Sequence, residues 1–126
     1  MKKFLIETDI LVDYLTYSGD LNNCLLTCMQ NGMCYTTVLN AGELLSASKN
    51  EEENGYVRNV LDSLKVLGFH SRYALSVKDY SDKTNSLRDA FISVVASFNK
   101  LPIVTFNKER YQKTNLNIIH PKELRA

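Results

Sequence analysis

Hydrophobic and polar positions change rhythm several times along this chain. Phe4-Leu5-Ile6 is a short apolar run of the kind that makes a strand buried on both faces. From Asp9 the apolar residues fall at helical spacing through Leu15, and Ser18-Gly19-Asp20 ends that helix. Leu21, Cys24, Leu25 and Cys28 share one helical face, predicting a second helix over Leu21–Gln30 that is closed by Asn31-Gly32. Met33–Tyr35 reads as a strand, followed by a helix that starts at Thr37 or Asn40 and runs through Ser48. Asn50–Asn54 is a solvated turn whose acids favour the start of the next helix, Glu51–Lys65, built on Val57, Val60, Leu61 and Leu64. Val66–Phe69 predicts an edge strand and Arg72–Tyr80 a helix. Leu87–Asn99 is the clearest helix, with Phe91, Val94, Val95 and Phe98 at i, i+3, i+4 and i+7. Pro102–Thr105 predicts a buried strand and Asn117–His120 a last short one.

Strands that alternate with helices through short connections predict an α/β fold, with a parallel sheet covered on both faces. In such sheets ligands bind beyond the C-terminal ends of the strands, where the strand order reverses. Glu7 and Asp9, separated only by Thr8, fall at that end of the first strand.

Composition narrows the picture. A length of 126 residues suits a single domain, 44% hydrophobic residues suffice for a continuous core, and 23% charged residues argue against disorder. No apolar run approaches the ~20 residues that span a bilayer, and the N-terminal lysines lack the apolar segment of a signal peptide. Cys24, Cys28 and Cys34 are odd in number and lack histidines at zinc-ligand spacing. They read as reduced, small hydrophobes in a cytoplasmic protein. A formal net charge of +1 does not give the strongly basic footprint common in nucleic-acid binders, and leaves room for a local basic rim.

Other polar residues fall at positions comparable with Glu7 and Asp9. Glu43 is the one acid in the otherwise uncharged stretch TTVLNAGELLSAS, beside Leu39, Leu44 and Leu45. An acid against that much apolar surface needs a partner. Asp89 lies in the first turn of the most amphipathic helix, where the helix dipole favours its ionised form. Thr105 and Asn107 follow a buried strand. Taken singly, Asp9 and Asn107 read equally well as helix caps, Asp89 as a dipole partner and Glu43 as part of a solvated face. Taken together, they fold toward one edge of one sheet. Carboxylates gathered there repel one another unless a cation neutralises them. An oxygen-only donor set selects hard cations such as Mg²⁺ or Mn²⁺, which suits phosphodiester hydrolysis.

The order LIETDILVDYL, TTVLNAGELL, RDAFISVVA, IVTFN resembles the PIN-domain ribonucleases, most closely the VapC-type toxins of toxin–antitoxin modules, over nearly the whole chain. The resemblance implies an α/β/α sandwich around a mainly parallel sheet of four to five strands. It implies an acidic pocket holding Mg²⁺ or Mn²⁺ and endonucleolytic cleavage of RNA to a 5′-phosphate and a 3′-hydroxyl. It also implies homodimers and a small antitoxin partner whose C-terminal segment enters the active-site groove. Carried over residue by residue, it makes Glu7, Asp9, Glu43 and Asp89 the metal ligands. Glu7, Glu43, Asp89 and Asn107 become the catalytic set, with Thr8, Thr37 and Thr105 in support.

Two positions depart from the family pattern. Glu7 stands where an Asp is usual, and its extra methylene moves the carboxylate outward, against the near-ideal octahedral geometry that magnesium demands. The fourth acid is replaced by Asn107 or, three residues on, by Arg110, while Glu109 is offset by about 100° around a helix. The pattern therefore predicts a weakened nuclease or, as the alternative, a catalytically degenerate PIN module that binds RNA or a protein partner. A phosphoryl-transfer domain such as a haloacid-dehalogenase-like phosphatase or a receiver domain also carries an acid after its first strand. Glu at position 7 and the lack of a well-placed late lysine count against it. Lys49, Arg88, Lys108, Arg110 and Lys113 flank the motifs and are candidates for the RNA phosphates, against the alternative of solvated surface charge. Tyr14 and Tyr111 are expected in the core or an interface rather than stacked on bases. The apolar faces of Leu21–Met29 and Tyr56–Leu64 suit core packing or a dimer contact equally.

Overall fold

A computed structural model describes residues 1–16 and 23–124. Among them, five strands form one wholly parallel sheet: β1 (Lys3–Ile6), β2 (Met33–Thr37), β3 (Lys65–Leu67), β4 (Ile103–Val104) and β5 (Ile118–Ile119). Their order is β3-β2-β1-β4-β5, which puts β1 in the middle and reverses the winding beside it. The register pairs Leu5 with Tyr35 on one side and with Ile103 on the other. The helices are α1 (Thr8–Thr16), α2 (Cys24–Asn31), α3 (Val38–Ala47), α4 (Glu51–Asp62), α5 (Tyr73–Ser76), α6 (Lys78–Ser81) and α7 (Leu87–Asn99). None is long and apolar enough to cross a membrane.

The alternation of side chains along a strand explains the layers. Phe4 and Ile6 enter one core with Ile10, Leu11, Leu25, Cys28, Leu44, Val57 and Val60, from α1 to α4. Leu5 enters a second core with Ile92, Ala96, Leu101, Ile103 and Tyr111, on the α7 side. Burial pushes the Cys28 thiol up to about 12, helped by Cys34 and Cys24, and pushes Cys34 up to about 11. The described cysteines are thiols, not disulfides, and Cys28 and Cys34 are buried.

Several element bounds differ from those read in the sequence. The turn Ser18–Asp20 and the start of the helix from Leu21 lie outside the described residues. The helix read as Glu51–Lys65 ends at Asp62, because Lys65 is already paired with Tyr35 as the start of β3. The helix read as Arg72–Tyr80 is two short ones, α5 and α6. The bounds of α7 agree, with Ser86 as its N-cap accepting from the Asp89 amide. Its buried face is wider than the predicted stripe and includes Ala90, Ile92 and Ala96 as well as Val94 and Val95. Phe98 is 57% exposed and packs on Tyr73, while Phe91 stacks on Phe69. Gly32 does close α2, but not through a left-handed turn: its φ is 175° and its amide donates to the Cys28 carbonyl. What requires glycine there is space, since a Cβ would lie 2.4 Å from the Lys2 carbonyl oxygen.

Candidate functional site

Three loci meet at the C-terminal edge of the sheet. Glu7 leaves the end of β1, Glu43 sits in α3 after β2, and Asp89 sits in the first turn of α7. Glu7 and Asp89 are buried, and the Glu43 side chain is 36% exposed. The acids do not converge on an open space between them, because the Arg88 guanidinium lies there. Arg88 Nη1 and Nη2 each donate to Glu7, at 2.7 Å to Oε2 and 2.7 Å to Oε1, in a two-pronged pair. Nε and Nη2 donate to Glu43 at 3.0 and 2.9 Å, and Nη1 also donates to Asp89 Oδ1 at 2.9 Å. Arg110 completes the frame, donating to Asp89 from Nε at 3.1 Å and Nη2 at 2.6 Å.

Neutral groups hold this frame in register. Thr37 caps α3 in a capping box with Asn40, its hydroxyl accepting from the Asn40 amide and donating to Asn40 Oδ1. That leaves Asn40 Nδ2 to donate to Glu7 Oε1 and to Thr8 Oγ1, both at 2.9 Å. Thr8 passes its own hydroxyl proton toward Glu43 Oε1 at 2.6 Å. The Tyr111 ring is in the α7-side core, and its hydroxyl donates to Glu7 Oε2. Asp9 is fixed separately: its Oδ2 accepts from the Thr105 hydroxyl at 2.6 Å and the Phe106 amide at 3.0 Å. Its Oδ1 is buried and accepts no hydrogen bond from the described residues.

Electrostatics follow from this packing. Burial alone would lower the Arg88 pKa, but its hydrogen bonds to Glu7 and Glu43 and the Glu7 charge raise it well above the ordinary value. Arg110 is likewise raised, burial being outweighed by the bond to Asp89. The hydrogen bond from Arg88 holds the Glu43 carboxyl below the usual carboxylate range, against the opposing effect of burial. Burial, and then the Glu7 charge and hydrogen bond, push the Tyr111 hydroxyl far above the usual phenol range. Arg88 is the second residue of α7, at the positive end of the helix dipole, where a cation is disfavoured. The carboxylates overcome that.

The positions suggested by sequence therefore separate. Glu7, Glu43 and Asp89 come together, supported by Thr8 and by Thr37 through Asn40. Asp9 and Thr105 form their own pair, and Asn107 is exposed, with its backbone amide on Thr105 Oγ1. Of the phosphate candidates, Arg88 is turned into the acids, with a side chain only 18% exposed, because three carboxylates bind it more strongly than solvent does. Arg110 is engaged with Asp89 for the same reason. Lys108 is paired with Glu123 at 2.9 Å on the surface, and Lys49 is exposed. Tyr111 is fully buried, as expected for a core residue, and Tyr14 is 36% exposed. The sequence reading missed two members of the frame, Asn40 and the Tyr111 hydroxyl. The spacing Thr37-x-x-Asn40 is a legible capping signal, whereas nothing local marks Tyr111.

The arrangement does not fit the Mg²⁺ or Mn²⁺ expected from the acids. All six oxygens of Glu7, Glu43 and Asp89 already accept hydrogen bonds, and two guanidiniums offset two of the three charges. Among the described residues no three Asp, Glu, His or Cys side chains are set to hold a metal ion.

No protein-family model matches the sequence, and a search of curated proteins finds no match. Solved structures do match. A DNA-bound VapBC from Salmonella typhimurium aligns with 18% identity and a TM-score of 0.79, over 96% of this chain and 99% of that one. VapBC-1 from nontypeable Haemophilus influenzae gives 14% and 0.78, over 95% and 98%. A toxin–antitoxin complex from Klebsiella pneumoniae gives 19% and 0.76, over 94% and 97%. At these identities the likeness is one of fold: this chain has the PIN-like α/β architecture, shared over nearly its whole length with chains of VapBC toxin–antitoxin structures.

Proposed function

We propose that this protein is the nuclease toxin of a toxin–antitoxin pair and hydrolyses RNA phosphodiester bonds at the edge of the sheet that carries Glu7, Glu43 and Asp89. The observation that supports the reading most is the meeting of these acids, contributed by the end of β1, by α3 and by α7, at the sheet's C-terminal edge. A parallel sheet binds its ligands there. The toxin–antitoxin context of the structures sharing the fold supports an antitoxin partner, and the reading includes a homodimer.

Within this reading Glu7, Glu43 and Asp89 form the acidic floor, and Asn40, Thr8 and Tyr111 hold its geometry. Asp9 is oriented by Thr105, and its buried Oδ1 accepts no hydrogen bond from the described residues. Asn107 lies at the exposed rim, where an amide can donate to a phosphate oxygen. The Mg²⁺ or Mn²⁺ expected for phosphodiester hydrolysis does not fit these acids while the guanidiniums hold their oxygens, so no step is assigned to a metal.

The test is incubation of the purified protein with structured RNAs in the presence of Mg²⁺ or Mn²⁺. Cleavage leaving 5′-phosphates, and lost in Glu43→Gln and Asp89→Asn, is the expected result. A second reading, a degenerate PIN module that binds RNA or a protein partner without cutting, is favoured by the guanidinium lying among the acids. Absence of cleavage under either metal, with RNA retained in a gel shift or a partner retained on the protein, would establish it instead.

A further inference from the structure

The acid cluster and its cation differ in kind from a surface ion pair. Arg88 uses all three of its guanidinium nitrogens on the cluster: Nε on Glu43, Nη1 on Glu7, Asp89 and the Tyr111 hydroxyl, and Nη2 on Glu7, Glu43 and Thr8. Its planar fork matches the two oxygens of Glu7. Clustered carboxylates require a nearby positive charge to stay ionised together. Arg88, one position before Asp89 in α7, supplies the charge that all three acids share, and Arg110 adds a second at Asp89.

We propose that Arg88 is a built-in counter-cation standing where a divalent metal would otherwise bridge Glu7, Glu43 and Asp89, so that such an ion binds only by displacing the Arg88 guanidinium. Two observations carry this. The oxygens a metal would use are the ones that Arg88 and Arg110 occupy, so their lone pairs are committed. A dication placed among them would also lie against a guanidinium that is 18% exposed and has little water to screen it. Apparent metal affinity is then scaled down to the small fraction of molecules in which Arg88 has left, as for any ligand that needs a minor conformer. Arg110 does not substitute for it, because its short contacts are to Asp89 and its nearest Glu7 oxygen is 3.9 Å away.

The inference rests on reading these acids as the working site, but its test needs no RNA. Binding of Mn²⁺ to the full chain is measured from the free-ion electron paramagnetic resonance signal, for wild type, Arg88→Gln and Arg88→Lys, with folding checked by circular dichroism. Arg88→Gln is expected to bind Mn²⁺ at least tenfold more tightly than wild type. Arg88→Lys, whose single ammonium covers fewer oxygens, should fall between them, and adding Glu43→Gln should remove the gain. In wild type, Mg²⁺ binding should change the Arg88 Nε–H resonance in step with saturation. Equal affinity in wild type and the folded Arg88 variants overturns the proposal. So does absence of binding in both variants, or Mg²⁺ saturation of wild type with the Arg88 resonance unmoved. If Arg88→Gln does not fold, the Lys variant and the wild-type titration decide alone. Tight Mn²⁺ binding by Arg88→Gln with no RNA cleavage by any form would keep this inference and remove the nuclease reading. RNA cleavage by wild type with Arg88-independent metal affinity would do the reverse.

Discussion

Leu5 and Glu7 are two residues apart and equally dry, at 0% and 1% exposure, yet they are held by different physics. Leu5 lies in the apolar layer with Ile92, Ile103 and the Tyr111 ring, where stability comes from apolar area removed from water and from close packing. Glu7 lies in the polar layer just beyond it, where burial is unfavourable unless every charge is met. The apolar layer tolerates a defect locally, because a lost methyl leaves a cavity and little else. The polar layer does not, because removing Arg88 takes away the one cation that Glu7, Glu43 and Asp89 share, and Arg110 makes its short contacts to Asp89 alone. Tyr111 joins the two, with its ring in one and its hydroxyl in the other.

The comparison is broken most sharply by Arg88→Ala. Truncating one partner of a buried, hydrogen-bonded ion pair typically costs about 3–5 kcal/mol, and here Glu7, Glu43 and Asp89 lose their shared partner together. Urea denaturation should show a loss in that range at neutral pH that shrinks in acid as Glu43, whose carboxyl Arg88 holds below the usual range, protonates. Ile92→Ala probes the apolar layer. Its expected loss is about 3 kcal/mol from transfer and cavity effects, and a urea series should find it nearly independent of pH. A loss at Ile92 that followed pH as Arg88→Ala does would remove the distinction between the layers.

Tyr111→Phe separates the two roles of one side chain. The ring stays in its core, while Glu7 Oε2 loses one donor and keeps Arg88. The expected loss is about 1.5 kcal/mol, the lower end for a hydrogen bond to a charged group, since Glu7 retains another partner. Glu43 gives the smallest effect. Its pKa is lowered in the folded state, so its contribution is present above the unfolded carboxylate pKa and is lost as pH falls through the lowered folded value. With a side chain 36% exposed, that contribution is below about 1 kcal/mol. Comparing wild type with Glu43→Gln in thermal melts from pH 6 to pH 3 should show the gap closing at the acid end.

The layers were legible to different degrees in the sequence. Helix α7 could be read to its ends, because the first-turn Asp89 and a long apolar periodicity agree there. The end of α4 could not: Leu64 continues the helical spacing, and only pairing of Lys65 with Tyr35 ends the helix at Asp62. In the site, Glu43 and Asp89 stood out as acids set among apolar neighbours. Arg88 also stood out, but as a charge on the rim, because a sequence gives a side chain's charge and not its direction. Asn40 was hidden as a helix start, although its capping register with Thr37 leaves its amide nitrogen free to reach Glu7.

By itself, then, the sequence determined the alternation of strands and helices, the parallel sheet and the gathering of acids at one of its edges. These depend on local periodicity and on the rule that parallel strands all end on the same side. The tertiary structure alone decided which cation meets those acids. Arg88 and Glu7 are 81 residues apart, and a guanidinium at the start of α7 can face water or turn inward with the same backbone. Only the proximity of the buried Glu7 and Asp89 carboxylates, with the partly exposed Glu43 beside them, makes the inward direction the stable one.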